Sequence, residues 1–353
     1  QNTSAKPSES YNKYKMPGGF MRARFFCLII SGLFLTSVHA ASSVSGFAVA
    51  ARWQGNFDNR FGGFGKIMKY SIENGKTENT EVLFDGRGRF ASISNDGKKV
   101  AFLVAVTDAS TNSLVPSAIV AMDADGGSLD TLVRDIPDGM RRSFVNWANG
   151  DWLYYGLGSN STDNSWGGIR DHAGIRSLWK VNAVTKETAQ VAEFPKTAHC
   201  ESGSECAIWL IQISRDGTRG VCRPTWTDQN SPNDNGYINC FTLDPAKLNT
   251  IQLMKYDPMS FRGGCGAGIS NDGNYVMHIN GMPHQNIGFK KWTNLADDDQ
   301  KQITIQQMCT WGECFVGPSD GGGGTNNNRF AANDPDWICI SCGWDDRACK
   351  MGS

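Results

Sequence analysis

The chain carries no excess charge of either sign. Its 34 Lys and Arg face 35 Asp and Glu, for a formal net charge of −1. That balance gives no electrostatic reason to expect nucleic acid or an anionic membrane surface as partner. Histidine is scarce, at five in 353 residues, and no His-x-His or His-x-x-x-His spacing occurs. A metal centre would therefore have to gather ligands from distant segments. No Gly-x-Ser-x-Gly elbow is present, and no Gly-Lys-Ser/Thr follows the glycine run at 321–324, so a serine-hydrolase turn and a phosphate cradle are both excluded. Helix signals are weak, and no Pro-rich or charged linker divides the chain. Long apolar runs are missing as well, with one exception near the start.

That exception, Phe25 to Leu35, follows Arg22 and Arg24 and precedes Val38-His39-Ala40. A charged start, a short apolar centre and a small-residue cleavage site read as a secretory signal peptide over residues 21–40. The run is too short to span a bilayer well, and no stop-transfer charges follow it, so no membrane span is expected in the mature chain. Residues 1–20 read as an upstream or non-native leader, and residues 41–353 as one exported, extracellular domain. Cysteine usage points the same way. Apart from Cys27, all ten cysteines fall at or after Cys200, and an even number in a secreted chain suggests disulfides. Cys200 with Cys206 and Cys309 with Cys314 would close local loops, and Cys222 and Cys240 lie on consecutive expected strands. Cys265, Cys339, Cys342 and Cys349 remain without an assigned partner. The spacings Cys309-x4-Cys314 and Cys339-x2-Cys342 keep a zinc site as the alternative. Asn160-Ser161-Thr162 is a glycosylation sequon in a polar loop.

What the chain does contain is a repeat. Ser94-Asn95-Asp96-Gly97, Ser214-Arg215-Asp216-Gly217 and Ser270-Asn271-Asp272-Gly273 share one pattern. Looser copies stand at Trp147 to Trp152 and at Ala332 to Trp337. With Pro335 in the glycine's place, the copies fall at 97, 150, 217, 273 and 335. A period of this length means one supersecondary unit copied several times. Each copy ends a short strand in a tight turn and opens an apolar one: Val100–Leu103, Trp152–Tyr155, Gly220–Cys222 and Tyr275–His278. A variable loop, a third strand such as Ala118–Met122 or Ser177–Val181, and a fourth such as Leu129–Val133 complete the unit. Forty glycines among short apolar strands suit an all-β chain. Four antiparallel strands per repeat make a propeller blade, so the expected fold is a β-propeller of five or six four-stranded blades.

Ser94-Asn95-Asp96-Gly97-Lys98-Lys99-Val100-Ala101-Phe102 resembles the turn-and-strand motif of the TolB-like propellers, and the resemblance runs over about residues 44–345. It implies the fold and little about activity, because such propellers include binding proteins, accessory domains of enzymes and a few lyases. Ring closure is expected at the joined ends. Strands near Gly46–Trp53, Lys66–Ile72 and Glu81–Phe84 would share a blade with the hairpin Phe330–Ser341, although together they offer one strand too many.

In a propeller, the loops between second and third strands share a face with the loops between blades, and the Asp-Gly turns lie on the other face. Trp53, Trp166, Trp226, His284 and Trp344 are expected on that loop face, where aromatics stack on sugar rings. Arg87, Arg89, Arg141, Arg142, Arg262 and Arg329 fall in the interblade loops just before inner strands, placed to hold carboxylates or sulfates. The bland alternatives are tryptophans packed as core and arginines paired with Asp85 and Asp138. The favoured reading is a non-catalytic module that binds an extracellular, anionic glycan or a protein partner, with no cofactor. A structural subunit that self-assembles by strand addition is the first alternative. The second is a metal-dependent polysaccharide lyase using His278 and His284, by analogy with the propeller oligogalacturonate lyases.

Overall fold

The computed structural model describes residues 45–53, 65–73, 76–108, 113–134, 140–159, 175–195, 208–224, 239–255, 267–280, 286–295, 301–304, 329–330 and 338–339. Every described residue lies within one compact unit, Ser42–Ser353.

The described part is built of antiparallel sheets taken in sequence order. The first holds β1 (Gly46–Trp53), β2 (Gly65–Glu73), β3 (Lys76–Ile93), β4 (Lys99–Asp108), β5 (Ser113–Asp123) and β6 (Asp130–Val133). The second is β7 (Met140–Trp147), β8 (Trp152–Ser159), β9 (Ile175–Asn182) and β10 (Thr188–Glu193). The third contains β11 (Ile208–Ile213), β12 (Arg219–Pro224) and β13 (Asn239–Thr242). The strand β14 (Asn249–Thr250) leaves this unit to join β10 in parallel, and β15 (Met254–Lys255) returns to β13. The fourth is β16 (Ala267–Ile269), β17 (Tyr275–Asn280), β18 (Asn286–Lys291) and β19 (Lys301–Thr304). A two-stranded pair follows, β20 (Arg329–Phe330) with β21 (Ile338–Cys339).

Period-two alternation sends successive side chains to opposite faces of each sheet, and both faces are buried. Ala101 and Leu103 of β4 pack with Val145, Trp147, Leu153 and Tyr155 of the second sheet. Their neighbours Val100 and Phe102 pack the other way, with Ile67 of β2. Tyr154 joins Ile211, Ile213, Cys222 and Phe241 of the third sheet, where Phe194 meets Phe241 edge-on at 5.3 Å. Val221 and Cys240 pack with Ile269 and Val276 of the fourth. The first strands β3, β7, β11, β16 and β20 touch one after another. Sheets stacked face to face around a succession of inner strands are the blades of a β-propeller.

The N-terminal strands correct one expectation. No loop separates the strand near Glu81–Phe84 from the inner strand that follows, because both belong to the 18-residue β3. Its first half pairs with β2, as Phe84 with Ile67, and its end pairs with β4, as Ile93 with Val100. Gly88 faces both Gly65 and Val104. The strand folds back here, so that β1 and β2 lie over β4 and β5, with Phe84 and Phe102 rings 5.1 Å apart. Glycine is required at the fold by close approach. A Cβ on Gly86 would stand 2.3 Å from Phe84 Cζ, and one on Gly88 2.6 Å from Ile67 Cδ1.

The cysteines give the second correction. Cys222 stands opposite Asn239, and Cys240 opposite Val221. The pair is offset by one residue, so the two thiols leave opposite faces of the sheet and no cross-strand disulfide joins them. Both are free and buried. Burial pushes Cys240 up to about 12, and burial with the neighbouring Cys240 holds Cys222 well above the usual thiol range. Burial thus disfavours the thiolate at both, the form that reacts and binds metal.

Candidate functional site

The three Ser-x-Asp-Gly turns are nearly identical. The Ser94 hydroxyl donates to Asp96 Oδ1 at 2.7 Å and accepts from the Lys99 N–H at 2.9 Å. The Lys98 N–H reaches the same carboxylate at 3.0 Å, and Gly97 sits at φ 71°. Ser214 and Asp216 repeat this with Thr218 and Arg219, and Ser270 and Asp272 with Asn274 and Tyr275. All three serines are buried. The side-chain bond from Ser94 holds the Asp96 carboxyl below its ordinary value. Burial alone would raise Asp216, but hydrogen bonds from Ser214 and Thr218 and the Arg219 charge outweigh it. Asp272 is lowered in the same way, burial again opposing the bonds from Ser270 and Asn274. The second unit has Ala148 where the others have Ser, and keeps the turn by another route. The Trp147 indole N–H donates to the Gly150 carbonyl at 3.1 Å, with Gly150 at φ 66°.

The variable position of the motif ties one blade to the next, a role that sequence reasoning missed. Asn95 Nδ2 donates to Asn149 Oδ1 at 3.1 Å. The Asn149 N–H donates to the Arg215 carbonyl, and the Arg215 N–H to the Asn271 carbonyl, both at 2.8 Å. Arg215 reaches furthest: its guanidinium donates to the carbonyls of Trp147 at 3.1 Å and Ile93 at 3.0 Å, and its Nε to Asn271 Oδ1 at 3.3 Å. One side chain from the third sheet thus binds the ends of the inner strands of the first two and the turn of the fourth. Burial pushes its pKa down to about 10, which leaves it charged at neutral pH. The available signal was Arg215 at a position where the other copies carry Asn95, Asn149 and Asn271. Further out, Arg219 donates to the Gly273 carbonyl at 2.9 Å and lies over the Trp292 ring, and Lys180 donates to the Pro245 carbonyl at 3.1 Å.

The turn-face polar groups named above are thus used in turn-internal or blade-to-blade bonds. On the other face, Trp53 ends β1, the strand beginning near the Gly97 turn, where a Cβ would lie 3.7 Å from the Phe47 ring. Arg89 lies inside β3 and Arg142 inside β7, not in the loops expected before them, because both strands extend and stay paired, Arg89 with Leu103 and Arg142 with Leu157. Arg87 and Arg141 likewise fall within β3 and β7, and Arg329 opens β20. The half-buried Arg89 guanidinium lies over the Phe90 ring at 4.3 Å. Phe90 itself holds φ 54° at a bulge, an uncommon conformation for a bulky residue. His278 stands in β17 between Ala267 and Gly288. Among the described residues no group of three or more His, Cys, Asp or Glu could hold a metal ion. Trp166, Trp226, His284, Trp344, Arg262, Asn160, Cys200, Cys206, Cys265, Cys309, Cys314, Cys342, Cys349 and the Ala332–Trp337 turn lie outside the described residues, and Cys339 is placed on β21.

No protein-family model matches the chain, and no curated protein does. Among solved structures it is similar to a chain of the nidogen/laminin complex, at 8% identity over 85% of this chain and 86% of that one, with a TM-score of 0.48. A putative TolB from Agrobacterium tumefaciens matches at 13% identity over 74% and 80%, with a TM-score of 0.41. The Cps50 (Swd1) β-propeller domain of Myceliophteria thermophila matches at 12% identity over 86% and 96%, with a TM-score of 0.42. Likenesses at these scores carry no argument about ligand or activity, and the propeller rests on the sheets and clusters above.

Proposed function

We propose that this propeller is a secreted, TolB-like binding module that holds an extracellular, anionic glycan on its loop face and catalyses no reaction. The propeller fold suits a binding or scaffold role in general. The observation that supports a loop-face site is the turn face itself. There Asn95, Asn149, Arg215 and Asn271 spend their polar groups on neighbouring blades, and the Arg215 guanidinium is bonded to the ends of two inner strands. A surface already satisfied internally has little to offer a polar ligand. The inner-strand arginines favour an anion, since guanidinium binds carboxylate and sulfate through paired hydrogen bonds.

The test is a glycan-array screen of the exported chain, with and without a chelator, followed by Arg142→Ala and Arg262→Ala. Chelator-independent binding to acidic glycans that weakens about tenfold or more in these variants supports the reading. Unchanged binding in both variants overturns the arginine site. Chelator-sensitive turnover of a uronate polymer would replace the reading with the lyase.

A further inference from the structure

The turn surface is satisfied by its own bonds, but the inner strands behind it are not. Each inner strand from β3 to β16 ends in a residue whose N–H bonds to the second strand of its own sheet. Ser94 donates to the Lys99 carbonyl, Ala148 to Trp152, Ser214 to Arg219 and Ser270 to Tyr275. Antiparallel pairing alternates. The residues just before these, Ile93, Trp147, Ile213 and Ile269, therefore turn N–H and C=O away from their own sheets, toward the other inner strands. Two of them show what that direction reaches. The Trp147 N–H donates to Ser92 Oγ at 2.9 Å, and the Trp147 and Ile93 carbonyls both accept from Arg215. Ile213 and Ile269 present N–H donors in the same way, and among the described residues no bond to a neighbouring sheet engages either.

One residue further in, Ser92, Asn146 and Gln212 hold the same place in three copies of the repeat. Ser92 spends its hydroxyl on the next sheet, but Asn146 and Gln212 do not. Asn146 lies between Phe144 and Ala148, which pack toward the third sheet, and its Oδ1 is buried with no partner. Gln212, only 6% exposed, stands opposite Val221 on the side of the fourth sheet. Its amide makes no side-chain hydrogen bond among the described residues. Arg215 brings the charge. A guanidinium has five N–H donors, and Asn271, Trp147 and Ile93 take three, which leaves one on Nη1 and one on Nη2. No carboxylate pairs with it among the described residues, and no neighbouring charge counters its burial. Charges out of water are ordinarily paired. We propose that the inner strands bind one small monovalent anion beneath Arg215, held by its two spare N–H groups, the Ile213 and Ile269 N–H groups and the amides of Asn146 and Gln212. Turning the Asn146 amide over replaces its orphaned oxygen with a donor, since the two ends are nearly alike in shape. A single guanidinium calls for a single negative charge. The site is separate from the loop-face glycan reading and does not depend on it.

Chloride NMR line width, measured with the full chain and with ionic strength held by the bulky buffer anion MES, tests the site directly. The expected result is excess broadening that saturates with chloride and is displaced by formate. Displacement by formate below the half-saturating chloride concentration identifies a carboxylate as the fitting anion, and displacement only above it identifies chloride; either supports the site. Gln212→Met keeps Arg215 and nearly the same volume, and should raise the half-saturating concentration about fivefold or more, the loss of one hydrogen bond. Arg215→Gln should abolish the saturable part, with folding checked by urea unfolding; where that chain does not fold, Gln212→Met decides alone. Broadening that never saturates overturns the proposal and puts the anions on surface lysines. Saturable broadening unchanged in Gln212→Met overturns it as well. So does the absence of broadening together with a Tm that does not rise with formate.

Discussion

Gly97 and Gly217 occupy the same place in the repeat and share positive φ angles of 71° and 75°, yet their surroundings differ. A Cβ on Gly97 would meet one Phe47 carbon at 3.7 Å, whereas on Gly217 it would stand 2.2 Å from Tyr154 Oη. Gly97→Ala should therefore cost only the left-handed backbone term, about 1–2 kcal/mol. Gly217→Ala adds displacement of a tyrosine whose ring lies in the core between sheets, and should cost at least about 1 kcal/mol more. Urea unfolding of the two variants measures the difference. The aspartates of the same turns set the acid limit. Asp96, Asp216 and Asp272 all titrate below their ordinary value in the folded chain. Their contribution is fully present above the unfolded aspartate pKa of about 3.9, and is lost as pH falls through the lower folded values. Replacing Ser94, Ser214 and Ser270 by alanine removes a bond that holds each carboxylate ionised. Thermal unfolding followed between pH 5 and pH 2 should show a shallower acid loss in that triple variant.

At the scale of elements, β14 shows how a two-residue strand gains a structural role. Its position depends on Asn249, whose Nδ2 donates to the carbonyls of Val191 at 3.0 Å, Asp244 at 2.8 Å and Lys247 at 2.8 Å, while its Oδ1 accepts from the Asp244 N–H at 2.9 Å. Asn249→Ala should cost about 1–3 kcal/mol, the range for leaving partly buried backbone groups unpaired. It should also raise amide exchange at Val191 to Glu193 before any other strand loosens. Other elements were easier to foresee. The apolar runs at Val100–Leu103, Trp152–Tyr155 and Tyr275–His278 lie within β4, β8 and β17, because alternating residues between two Asp-Gly-type turns have few other ways to bury both faces. The fold-back of β3 was not legible. The sequence places Arg87 and Arg89 in an interblade loop, and only the approach of Phe84 and Ile67 shows why that stretch stays paired as strand. The opposed Cys222 and Cys240 were hidden for a similar reason, since one residue of register decides which face each thiol takes.

For the whole molecule, Arg215 is the most exposed to test. A single guanidinium holds groups 68 and 122 residues away in sequence. Charge-assisted bonds to backbone carbonyls contribute about 1.5–3 kcal/mol, so Arg215→Ala should lose about 3 kcal/mol in urea unfolding, with Lys restoring only part of it. A planar fork spans two carbonyls where a single ammonium does not. The repeat, its period and its strand pattern determined an all-β chain of stacked four-stranded units, because turn chemistry and side-chain alternation are local and can be read residue by residue. Tertiary structure alone decided that β3 folds over its own sheet, that β14 crosses to a neighbouring blade, and that Arg215 closes the turn face. Each of these depends on which distant backbone groups lie within hydrogen-bond reach once the blades stack, and that distance is not written in any one segment.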